Sequence, residues 1–134
     1  MQDFEAIRSH VGALYTLNQN APYLVSFDLA LGAGRQQGIY LAEMEDEQQR
    51  LYLRISTPIG PLAGTDAIRC LRFNWAQRMG FLAVSDLDGV PYLQLCANRP
   101  YELLNPRELQ RLINELGELG DHLEQILAGD TDAS

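Results

Sequence analysis

The sequence predicts a single α+β domain in the order α-β-β-β-α-β-β-α, built on a twisted antiparallel sheet. Three observations lead there. Apolar residues recur at three- and four-residue steps in three separate stretches, the spacing of one helix face. Three stretches between them alternate the two sides of a strand, and two further short stretches flank an Asp-Gly hairpin signal. The turns joining consecutive strands are short, which suits antiparallel neighbours and not parallel ones, whose crossovers are long. The 134 residues are the size of one domain, and no linker or repeat divides 1–134.

Each element has its own signal. Residues 3–17 are expected to form a helix with Phe4, Ile7, Val11 and Leu14 on one face and Asp3 as its N-cap. Asn18 to Pro22 breaks that pattern. Residues 23–31 alternate Tyr23, Val25, Phe27, Leu29 and Leu31 with smaller or polar residues, and the strands 38–45 and 50–57 follow after short turns, completing a meander. Thr65 is placed to cap a helix over 66–79 that ends at Gly80. Strands 81–86 and 90–97 flank Asp88-Gly89, a strong hairpin signal. Asn105, Pro106 and Glu108 then read as the start of a last helix, with Leu109, Leu112, Leu116, Leu119, Leu123 and Ile126 along one seam. Fraying is expected after Gly129.

Composition narrows the function classes. A net charge of −8 opposes binding to a phosphate backbone, so no nucleic-acid partner is expected. With 46% hydrophobic residues the chain has enough apolar surface for a folded core. No apolar run reaches the roughly 20 residues of a membrane span, and the start lacks a basic-then-apolar secretion signal. Cys70 and Cys96 each lie within an apolar run and read as reduced, buried thiols, which points to a cytoplasmic protein. His10 and His122 have no second ligand at metal-site spacing. Gly32-Ala33-Gly34 leads into a strand, and Gly38 falls one residue late for a dinucleotide fingerprint. Asp86-Leu87-Asp88-Gly89 lacks the closing glutamate of a calcium loop. Glu43 and Glu45 read as a solvated acidic run. No nucleophile has an adjacent base. The expectation is a protein that is not an enzyme and uses no cofactor or metal.

Two surfaces stand out. The helix over 66–79 has two apolar stripes, Ile68, Leu71, Trp75 and Met79 on one and Cys70 and Phe73 on the other. A domain of this size has little room to bury a helix all round. A second copy covering the first stripe, with Arg72 beside it, solves this, and two-fold symmetry is the commonest arrangement. The sheet also has a mixed face with Tyr40, Met44, Tyr52, Arg54 and Tyr92, a composition that suits contact with a partner. The strand opening the meander, with Tyr23, Val25 and Phe27, is expected at the sheet edge, where an extended peptide could add.

The element order, the acidity and the two-striped middle helix resemble the type III secretion chaperone (Tir chaperone) family. LYLRISTPIG, IRCLRFNWAQRMG, FLAVSDLDGVPYLQL and the Leu-rich last helix look most like it. The resemblance implies a cytoplasmic homodimer that holds an extended N-terminal segment of a secreted effector and keeps it export-competent without ATP. A fold relative with a regulatory or structural protein-binding role, and no secretion client, is the alternative.

Overall fold

In a computed structural model the chain is described over residues 1–133, with side chains over 1–127. It has three helices and a six-stranded sheet in the order β1-β2-β3-β4-β6-β5, with every neighbouring pair antiparallel. The predicted α+β class is therefore observed, with one strand more than expected. Helix α1 spans Phe4–Leu14, and the Asp3 carboxylate accepts the Ala6 N–H at 2.9 Å. It ends earlier than residue 17 because Tyr15 is extended and stacks on Phe27, with ring centroids 4.1 Å apart. The chain then turns back on itself as β1, Leu17–Ala21. Its sequence LNQNA has no apolar alternation, which is why the stretch reads as a break. Pairing with β2, Leu24–Ala30, makes it a strand.

Strands β3, Gln36–Glu45, and β4, Leu51–Pro61, complete the meander. Asp46 shapes the turn between them by accepting the Gln48 and Arg50 N–H groups. Helix α2 spans Ala67–Ala76 and is capped by Asp66, one residue after the expected Thr65. It stops at Gln77, so Met79 and Gly80 lie beyond it, and Met79 packs partly buried against the core. Strands β5, Phe81–Leu87, and β6, Val90–Pro100, meet at Asp88-Gly89. Both turn residues have positive φ, 52° and 79°, as a tight hairpin with the strands' twist requires. Helix α3 spans Pro106–Ala133, and Asn105 accepts the Glu108 N–H at 2.8 Å. The expected fraying after Gly129 falls outside the described side chains.

Helices α1 and α3 cover one face of the sheet. Phe4, Ile7 and Val11 from α1 meet Val25, Phe27, Ile39, Leu41, Leu53, Ile55 and Leu95 from the strands. Leu109, Leu112, Ile113 and Leu116 from α3 close the same cluster. Each such side chain, fully withdrawn from water, contributes about 1.5–3 kcal/mol. Gly117 and Gly120 let α3 lie close to the sheet. A Cβ at Gly120 would stand 2.6 Å from Thr57 Cγ2, and one at Gly117 would stand 2.4 Å from Leu29 Cδ2.

Candidate protein-binding surfaces

Four surfaces are open. The first is the outer side of α2. Ile68, Leu71 and Trp75 are 60%, 68% and 93% exposed, and none of the helix's ten residues is fully buried. Arg72 is exposed on the same helix. Cys70 and Phe73 turn the other way and pack against the core. The helix thus separates its two stripes as the spacing suggests, except that Met79 has left the outer one.

The second is the sheet face turned away from α1 and α3. Direct cross-strand pairing sets Tyr40 beside Ser56, Ala42 beside Arg54 and Met44 beside Tyr52. Arg54 Nε donates to Asn98 Oδ1 at 3.1 Å, which ties the guanidinium to the neighbouring strand β6. Tyr40, Met44, Tyr52 and Arg54 are all half-buried there. Glu43 points to the opposite, helix-covered side with its cross-strand partner Leu53, and there the hydroxyl of the buried Tyr101 donates to Glu43 Oε1 at 2.9 Å. Burial and that carboxylate both push the Tyr101 phenol well above its ordinary range.

The third surface is the sheet edge, and here the expectation needs correcting. The strand with Val25 and Phe27 is internal, between β1 and β3, and the short β1 forms the edge. Val25 and Phe27 are fully buried beneath the helices, so their side chains are closed to any partner. Tyr23 sits in the β1–β2 turn and is 65% exposed. Alternation locates a buried strand face, but it carries no information about which strand is last in the sheet. At the opposite edge, α2 seals part of β5. The Leu82 N–H donates to Asn74 Oδ1 at 2.7 Å, and Asn74 Nδ2 donates to the Leu82 carbonyl at 3.1 Å. The side-chain amide takes both hydrogen bonds that a neighbouring strand would make.

The fourth is a cleft of about 1250 Å³ between α2 and the second half of α3, reaching over the ends of β4 and β6. Ile59, Phe73, Leu82, Leu93, Leu123 and Ile126 give it apolar walls, and Tyr92 lies at its border. Glu124 lines it too, with its carboxyl raised above the ordinary range, first by burial and further by Asp121. Cys70 faces the same space, and burial raises its thiol, as it does that of Cys96, so both favour the uncharged form. Sequence periodicity missed this cleft because its walls come from elements far apart in the chain.

Among the described residues no cluster of three or more His, Cys, Asp or Glu side chains could hold a metal ion. Among the same residues no helix is long and apolar enough to cross a membrane. No protein-family model matches the chain. No curated protein matches it either. Among solved structures, the chain is similar to one in the structure of the HopA1-SchA chaperone-effector complex. The TM-score is 0.60 at 13% identity, over 89% of this chain and 88% of that one, so the likeness covers most of the fold.

Proposed function

We propose that this protein is a homodimeric chaperone of the type III secretion kind, which holds an extended segment of a partner protein, an effector's N-terminal portion, and keeps it export-competent in the cytoplasm. The observation that carries the reading is the joint exposure of Ile68, Leu71 and Trp75 on α2, in a fold shared with a chain of a chaperone–effector complex. Three large apolar side chains on one helix face are a poor solvent surface and a good contact surface. In the dimer the second copy covers Ile68, Leu71, Arg72 and Trp75. The partner segment then uses surfaces that the dimer leaves open, the face with Tyr40, Met44, Tyr52 and Arg54 and the β1 edge beside Tyr23.

Strand addition at β1 would supply backbone hydrogen bonds, and the tyrosines would supply large, fairly rigid contact area. The net charge of −8 favours neutral or basic segments over acidic ones. A pull-down from native lysate, followed by limited proteolysis and mass spectrometry, tests the reading. A protected N-terminal segment of one co-purifying protein supports it. Recovery of a folded partner with no protected segment favours a regulatory or structural binding role, and monomeric behaviour in sedimentation equilibrium removes the dimer.

A further inference from the structure

The walls of the cleft between α2 and α3 are largely apolar, and at Glu124 a carboxylate stands on its α3 side that is short of hydrogen-bond donors. Glu124 accepts from Gln37 Nε2 at 3.2 Å. The same nitrogen also faces Thr57 Oγ1 at 2.7 Å and the Pro58 carbonyl at 3.2 Å. An amide nitrogen has two hydrogens, so three acceptors compete for them. Gln37 itself is 2% exposed, and its Oε1 has no donor. Asp121, one turn earlier on α3, has the same sign as Glu124, and its cation, Arg35, is already held at 3.0 Å. Across the cleft, Asp66 adds a second carboxylate, and Arg69, the one cation among the described lining residues, already has an interaction of its own. Among the described residues Glu124 therefore has no cation of its own.

We propose that the cleft takes a segment of a partner protein in which one basic side chain stands among apolar ones, with the basic group on Glu124 and the apolar groups against Phe73, Leu82, Leu93 and Leu123. Charge complementarity selects this occupant. A cation brings the missing N–H donors and offsets the half-buried carboxylate. An acidic segment or a fatty acid would add a like charge beside it. The assignment rests on the protein-binding reading above and adds what that partner segment must contain.

The test uses two fluorescein-labelled twelve-residue peptides of alternating Leu and Ser, one with a central Arg and one with a central Glu. Binding to the full chain is read by fluorescence anisotropy at low salt. The Arg peptide is expected to bind at least about tenfold more tightly. Glu124→Gln keeps an acceptor for Gln37 and removes the charge, and it should erase that preference. Glu118→Gln removes an exposed charge from the same helix outside the cleft and should leave the preference intact. Phe73→Ser, on the opposite wall, should weaken both peptides alike. Equal binding of the two peptides, or a preference that survives Glu124→Gln, overturns the cleft assignment and leaves the broader protein-binding reading standing. Binding seen only in a Leu71→Arg monomer overturns it as well, because a second copy then fills the cleft. Failure of every peptide, together with an empty pull-down, overturns both.

Discussion

Asn105 shows how directly single residues can be read. Its carboxamide caps α3 through a bond across three residues, and the Asn-Pro-x-Glu pattern announces it because donor and acceptor are neighbours in sequence. Asn105→Ala should cost about 1 kcal/mol, seen as a lower urea midpoint at unchanged slope. The Tyr101–Glu43 bond spans 58 positions, so nothing local reveals it. Tyr101→Phe leaves the half-buried Glu43 without that donor and should cost about 1.5–3 kcal/mol by the same measurement. Glu124 gives a pH signature. Its folded carboxyl is raised, so the folded state binds the proton more tightly than the unfolded chain does. Its contribution therefore falls as pH rises from the unfolded carboxyl value, roughly 4.3, through the raised folded value. Comparing wild type with Glu124→Gln by denaturation across that window should show the wild type losing stability relative to the variant as pH rises.

At the scale of elements, the three helices and β2 to β4 are legible from their periods, and β5 and β6 from the Asp88-Gly89 turn between them. β1 is not, since three successive polar residues, Asn18 to Asn20, fill its middle and it becomes a strand only through β2. The ends of α1 and α2 were expected too late for a related reason. Apolar spacing continues past Leu14 and Ala76, but Tyr15 leaves the helix to stack on Phe27 and Met79 leaves it for the core. The glycines of α3 invite a helix-propensity argument, under which Gly→Ala should stabilise by about 1 kcal/mol. Packing reverses the sign at Gly120. Its added methyl would meet Thr57 Cγ2, part of a buried, stiff side chain. Gly120→Ala should therefore destabilise by about 1–2 kcal/mol net. Gly117→Ala meets only the tip of Leu29, which a rotamer change can move, and should cost less. Thermal melts of the two variants side by side check the order.

The whole molecule is arranged with one covered and one uncovered sheet face, and with a helix set at the rim rather than over the core. Sequence pattern reached the α2 surface, because a second apolar stripe is visible in the letters, and it missed the cleft, which exists only once α2 and α3 stand opposite each other. Trp75 carries little of the protomer's own stability, as it is 93% exposed. Trp75→Ala should leave the unfolding midpoint of the dissociated protomer within about 0.5 kcal/mol. It should weaken self-association by about tenfold or more, read by sedimentation equilibrium. The Asn74–Leu82 amide pair has a consequence for higher assembly. With β5 plugged at Leu82, only the few residues from Val84 to the hairpin tip remain to recruit another chain there. Head-to-tail stacking of copies into a continuous ribbon stops at that rim, and the protein can offer a bare row of amides at its other end without inviting fibre growth.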